Sequence, residues 1–190
     1  IVNEAHERGM QVPNRRPKEE GNTQAAGAYV AHPKKGMHEW IGAIDINSLY
    51  PSAIRALNMG PETIVGQLRP TMTDEYSENK ITNEKKSFAD AWEGLFGTLE
   101  YEAVMSRRDD VTITIDWEPN GSDELTGKDI HDLIFASGQK WTLSANGTIF
   151  TTEFEGVIPG LLKRWYAERK ELQAKKKKWT GLDAGIDIDV

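Results

Sequence analysis

Apolar residues along this chain fall into three kinds of pattern. From Trp40 to Ile46 almost every position is apolar (W-I-G-A-I-D-I), which predicts a strand buried on both faces. Val111 to Trp117 instead alternates as V-T-I-T-I-D-W, the period-2 signature of a half-buried strand. Between Ile158 and Trp179, the residues Ile158, Leu161, Leu162, Trp165 and Leu172 share one stripe at helical spacing, which predicts a long helix. A shorter helix is expected from Pro51, because proline suits a helix's first turn. It would carry Ile54, Leu57 and Met59 and stop near Gly60-Pro61.

Weaker patterns fill the intervals. Ile1 to Gly9 reads as a helix end stopped by glycine, and Gly27 to Val30 as a short strand. Ser87 to Phe96 and Ser122 to Phe135 predict helices, with a turn at Asn120-Gly121. Trp141 to Thr152 predicts a hairpin around Asn146-Gly147, residues that suit a type I′ turn. The polar stretch Gln11 to Thr23, with Pro13, Pro17 and Gly21, reads as a linker, and Thr71 to Lys86 as a loop. Gly181 to Val190 has no pattern, and no internal repeat is present. The fold class is α+β, with the middle third forming a small α+β unit inserted between flanking elements.

Composition narrows the classes of function. The 190 residues carry a net charge of -7, which argues against a general nucleic-acid coat. The charge is unevenly spread: Thr71 to Phe135 holds 16 acidic and 6 basic residues, whereas Lys163 to Lys178 holds 8 basic and 2 acidic. One surface repels phosphates and another attracts them. The chain has no cysteine, so disulfides and thiolate metal sites are excluded. No run approaches the roughly 20 apolar residues of a membrane span. The chain opens on Ile1 without a signal peptide, so it is expected to be a piece of something longer.

Asp45 closes the apolar run and has two readings. A lone carboxylate before a helix can cap backbone N–H groups. It can also ligate a hard cation, since magnesium takes oxygen ligands, keeps waters and uses one or two protein carboxylates with substrate phosphates. The carbonyl of Ile46 could add a ligand. Ser48 and Leu49 lie at the helix start, where free N–H groups and the helix dipole attract phosphate oxygens. Tyr50 sets a flat ring beside them. A metal ligand, an anion cradle and an aromatic wall within six residues are the parts of a nucleoside triphosphate site.

The long helix offers a second half. Arg169 falls within its apolar stripe, and Lys176 lies in line two turns on. A cation on a packing face needs a partner. That partner is either a neighbouring carboxylate, with the stem snorkelling, or a phosphate, whose oxygens suit a guanidinium.

The run D-I-N-S-L-Y-P-S-A-I (Asp45 to Ile54) resembles motif A of family B DNA polymerases. Its continuation R-A-L-N-M-G-P-E-T-I-V-G (Arg55 to Gly66) is similar to replicative polymerases of tailed phages. G-A-Y-V (Gly27 to Val30) resembles the short motif between exonuclease and polymerase modules. W-T-L-S-A-N-G-T-I-F through G-V-I-P (Trp141 to Pro159) resembles the approach to the fingers, and R-K-E-L (Arg169 to Leu172) the start of the family's R-K-x-x-K helix. The resemblance covers about residues 25–68 and 141–178.

The resemblance implies a partial polymerase palm. Residues 1–24 would end the exonuclease-side region and linker, 25–70 form the palm segment with motif A, 71–155 an inserted acidic α+β subdomain, and 156–190 the basic helix toward the fingers and a tail. It implies that Asp45 and the Ile46 carbonyl bind two magnesium ions and that Ser48 and Leu49 give N–H groups to the triphosphate. Tyr50 would be the steric gate against ribose, and Arg169 would hold the γ-phosphate. The family's next lysine is here Gln173, so Lys176 is the substitute cation. The implied reaction is two-metal nucleotidyl transfer from a dNTP to a primer 3′-hydroxyl. Implied partners are primer-template DNA, dNTP and the remaining exonuclease, fingers and thumb segments, with a sliding clamp reached through a part not in these residues. No membrane partner is implied. The implied location is the cytoplasm of an infected bacterial host.

The family's D-T-D and N-S-x-Y-G motifs do not occur in these residues, so the chain alone is expected not to polymerise. Asp187 and Asp189 are a poor substitute for the second carboxylate. His6, His32, His38 and His131 lack metal-ligand spacing, the two Asn-Gly-Ser/Thr sequons read as turns, and no P-loop is present. The rival reading is a non-enzymatic module that binds DNA or a replication partner.

Overall fold

The computed structural model describes residues 1–12, 32–84 and 97–186, with side chains of the last helix described as far as residue 176. Most of the expected linker, the strand at 27–30, the helix at 87–96 and the tail aspartates lie outside the described residues. The fold is α+β, built on an antiparallel sheet.

α1 (Val2–Glu7) ends as expected, with Gly9 at φ 73°. α2 (Leu49–Leu57) starts two residues before Pro51 and ends at a left-handed Asn58. A single 3-10 turn (Pro61–Thr63) feeds β1 (Ile64–Leu68). Then come α3 (Thr71–Glu84), α4 (Leu99–Met105), β2 (Thr112–Trp117), β3 (Ser122–Thr126) and α5 (Gly127–Phe135). β4 (Trp141–Leu143) and β5 (Thr148–Thr151) form the hairpin, and α6 (Val157–Ile186) is the long helix. The strand order is β3-β2-β1-β5-β4, every pair antiparallel.

The register explains the core. Leu68 pairs with Ile115, Ile113 with Leu125, and Leu143 with Ile149. These put one apolar face of the sheet against Ala103 and Val104 of α4 and Ile130 and Ile134 of α5. Ile115, Ile130 and Ile149 are fully buried, each stabilising by about 1.5–3 kcal/mol relative to exposure. β1, absent from the sequence expectation, is the central strand.

Several expectations are corrected. Trp40 to Ile46 is not a strand: it has no sheet partner among the described residues, and Trp40 and Ile44 are 99% and 97% exposed. An apolar run favours a strand only where neighbours can take its N–H and C=O groups. Residues 71–84 form a helix rather than a loop, because a distant carboxylate, that of Glu100, takes the N–H groups of Met72 and Thr73. Ser122 to Thr126 is a strand, paired along β2, and the helix starts only where the Thr126 hydroxyl accepts the Asp129 N–H. The hairpin turn is not type I′. Gly147 alone takes a left-handed conformation (φ 86°), and its N–H donates to the Ser144 carbonyl at 2.8 Å. The α6 stripe packs only at its start: Val157 and Leu161 are buried, whereas Trp165 and Leu172 are exposed.

Candidate functional site

The residues singled out by sequence lie on two surfaces. The first is the turn into α2. Asp45 and Ile46 end the extended segment and are exposed. Ser48 then adopts φ 55°, ψ 48°, a left-handed conformation that costs a non-glycine residue on the order of 1–3 kcal/mol. Its hydroxyl caps nothing, while its carbonyl accepts the Ser52 N–H at 2.9 Å. Leu49 and Tyr50 are the first two helical residues, and Pro51 has no N–H. Among the described residues, the N–H groups of Leu49 and Tyr50 have no backbone acceptor. The helix therefore opens on unsatisfied donors at its positive end.

The Asp45 carboxylate makes no hydrogen bond or ion pair among the described residues, so it does not cap α2. Tyr50 is exposed, its ring beside the turn. Magnesium requires hard oxygen donors, and the Asp45 carboxylate and Ile46 carbonyl are of that kind. Among the described residues no three His, Cys, Asp or Glu side chains gather into a metal-holding group. The turn fits a magnesium ion as a contributor of one carboxylate.

The second surface is α6. Arg169 and Lys176 border a shallow groove of about 340 Å³ with Trp165, Glu168, Leu172 and Gln173. Arg169 is exposed and has no ion-pair partner among the described residues. No hydrogen bond or ion pair joins it to Asp45, Ser48 or Tyr50 there. α2 meets α6 instead through Arg55, whose guanidinium lies 5.5 Å from the centre of the Tyr166 ring. Lys170 reaches the same ring, at 4.7 Å.

A third set lies in the run Arg55 to Gly66, to whose residues the sequence assigned no role. The Asn58 amide donates to the carbonyls of Thr151 (2.7 Å) and Phe154 (2.8 Å), and its oxygen accepts the Gly156 N–H (2.9 Å). Glu62 Oε1 accepts the Val157 N–H at 2.5 Å, capping α6. The Thr63 hydroxyl donates to the Asn58 carbonyl at 2.6 Å and accepts the Gly60 N–H at 3.0 Å. Asn-x-Gly-Pro-Glu-Thr therefore knots the end of α2 to the start of α6. Asn before Gly-Pro is a turn signal that could have marked the left-handed helix end, but nothing local names its partners.

Away from this surface, α1 is held to α6 by ion pairs. Glu4 accepts from Arg8 at 3.0 Å and from Arg164 at 3.1 Å. The Arg8 guanidinium, with Arg164 adding to it, holds the Glu4 carboxyl below its usual value, against the opposing effect of desolvation. Among the described residues no helix is long and apolar enough to cross a membrane.

No solved structure matches this chain. Among curated proteins, DNA polymerase 2 of Aeropyrum pernix is 41% identical over 81 residues, 43% of this chain and 9% of that protein. The DNA-directed DNA polymerase of Enterobacteria phage T4 is 46% identical over 50 residues, 26% of this chain and 6% of that protein. The DNA-directed DNA polymerase of Escherichia phage RB69 is 38% identical over 50 residues, again 26% and 6%. The aligned part of this chain thus spans less than a tenth of each relative. The sequence profile of DNA polymerase family B matches residues 1–183, nearly the whole sequence, and the chain belongs to that family.

Proposed function

We propose that this chain is the palm segment of a phage-type family B DNA polymerase. It takes part in template-directed transfer of a nucleotide from a dNTP to a primer 3′-hydroxyl. The observation that carries this reading is the α2 turn, where exposed Asp45 and Tyr50 flank a left-handed Ser48 and helix donors without a backbone acceptor.

In this reading Asp45 and the Ile46 carbonyl hold magnesium, two ions in the complete enzyme, while the second carboxylate comes from another part of the polymerase. Magnesium, when bound, supplies the charge that favours in-line displacement at the α-phosphorus. Ser48 and Leu49 give N–H groups to the triphosphate. Tyr50 bars the ribose 2′-hydroxyl with its ring. Arg169 takes the γ-phosphate, and Lys176 adds the cation that Gln173 does not. Exposed Trp40, Ile41 and Ile44 pack against the remaining polymerase segments, which include exonuclease, fingers and thumb. Primer-template DNA is the macromolecular partner, with a sliding clamp reached elsewhere. Residues 71–155 are an acidic subdomain inserted in the palm. The phage-type assignment is supported by the Asn58 to Thr63 continuation, and it implies the cytoplasm of an infected bacterium.

The test is primer extension by the polymerase that carries this segment. Asp45→Asn is expected to lower extension by about a thousandfold or more with primer-template binding retained. Extension undiminished by Asp45→Asn overturns the reading and leaves a DNA- or partner-binding module in its place.

A further inference from the structure

The two candidate half-sites sit on different helices, and the chain between them runs through the whole sheet. Their relative position is therefore not set by local sequence. It is set chiefly where α2 and the turn after it meet α6, and that contact includes two well-separated polar points. At the base, Asn58 and Glu62 bind backbone groups of residues 151–157. Nine residues further along α6, about 13 Å at 1.5 Å per residue, Arg55 lies over the Tyr166 ring. One point would let α6 swing, whereas two points fix its angle.

The base is built tightly around these side chains. Asn58 is 7% exposed, and Thr63 is fully buried. A Cβ on Gly60 would lie 2.8 Å from Glu62 Oε1, and one on Gly156 would lie 3.1 Å from the same oxygen. The two glycines leave room for the Glu62 carboxylate to reach the first N–H of α6. Every partner of the Asn58 side-chain amide is backbone, so its bonds define the path of the chain and not only a side-chain contact.

We propose that Asn58 and Glu62 are the joint, and Arg55 with Tyr166 the brace, that hold the Arg169 helix at a set angle to the Asp45–Tyr50 turn. They are positioning residues for nucleotide binding. This rests on the polymerase reading for its consequence, but the geometry is testable without it. Misplacement of a group by about an ångström can cost up to about a hundredfold, and a loose joint does this without touching the nucleotide.

The chain has no cysteine, so spin labels can be placed at Ala56→Cys and Gln173→Cys, both exposed positions on α2 and α6. A second pair at Glu124→Cys and Lys140→Cys reports the sheet. The parent chain is expected to give one narrow Ala56–Gln173 distance. Asn58→Ala, Glu62→Ala and Arg55→Ala should each broaden it, while the Glu124–Lys140 distance stays narrow. Glu62→Gln keeps an acceptor for the Val157 N–H and should restore the narrow distance. A narrow distance in both Glu62→Ala and Arg55→Ala overturns the proposal, and these two carry the test should Asn58→Ala fail to fold. In the polymerase carrying the segment, Glu62→Ala should raise the dTTP KM about tenfold with kcat within about twofold, and Glu62→Gln should recover it. An unchanged KM beside a broadened distance also overturns the positioning role. Failure of the function reading shows separately, as extension that survives Asp45→Asn.

Discussion

The Glu100 carboxylate, at the start of α4, accepts the Met72 N–H at 2.6 Å at the start of α3. It also accepts the Thr73 N–H at 3.1 Å and the Thr73 hydroxyl. Thr73 Oγ1 in turn accepts the Leu99 N–H at 2.8 Å. The two helices thus cap each other's N-termini, and Glu100 is 1% exposed. Truncating it strands three donors, the two from Thr73 buried and the Met72 N–H part-buried. Glu100→Ala is expected to lower stability by about 2–4 kcal/mol, read by urea unfolding, with loss of helical signal from residues 71–84. A change under about 0.5 kcal/mol would show that the mutual cap is not what holds α3.

Ser77 lies one turn further along α3 and presents the opposite case. It is 2% exposed, and among the described residues its hydroxyl has no hydrogen-bond partner. Burying an unpaired hydroxyl is unfavourable, so Ser77→Ala is expected to raise stability by about 1 kcal/mol. A thermal melt decides it: a lowered Tm would mean that the hydroxyl has a partner in solution.

The Glu4 ion pairs set a pH dependence for the docking of α1. The folded-state value of Glu4 lies below its usual 4.5, chiefly through its hydrogen bond to Arg8. A depressed carboxyl stabilises the folded state above its unfolded value and loses that stabilisation as pH falls through the folded value. The contact is therefore expected to be constant above about pH 4.5 and to weaken progressively below it. The protection factors of the α1 amides from Ala5 onward, the intrinsic exchange rate at each pH divided by the observed rate, should fall over that window in the parent chain. In Glu4→Gln the protection should be lower already at neutral pH and should not change further with acid. Salt should speed the parent's exchange as well, since exposed pairs are screened.

How far the sequence reaches can be judged from particular elements. β2 and the start of α6 were legible because their apolar spacing matches the face they bury, and α2 was legible from Pro51 although none of its residues is fully buried. The run from Trp40 to Ile46 carries as clear a strand pattern, yet it is exposed and, among the described residues, unpaired: composition records what a segment prefers, not whether a neighbour is present. α3 failed in the other direction. Its sequence has no apolar stripe, and it is organised by Glu100, 27 and 28 residues away. The candidate site divides the same way. Asp45, Ser48 and Tyr50 stand out within one short turn. Asn58 and Glu62 do not, because their partners lie 93 to 98 residues further on, and no spacing rule connects them.

The role proposed for Tyr50 is steric, and a steric role has a distinctive mutational signature. The ring is exposed, so removing it opens no cavity, and Tyr50→Val should change stability by no more than about 0.5 kcal/mol. Discrimination is a difference of two transition-state energies, and a wall contributes by penalising only the larger substrate. Tyr50→Val should therefore leave kcat/KM for dCTP within about threefold and raise that for CTP by about a hundredfold. A hydrogen-bonding role predicts the reverse, with dCTP use falling and CTP unchanged. Tyr50→Phe separates the two, since it keeps the ring and removes only the hydroxyl: it should select deoxynucleotides as well as the parent. Equal loss of dCTP and CTP use in Tyr50→Val would mean that the ring orders the turn around Ser48 and does not gate the sugar.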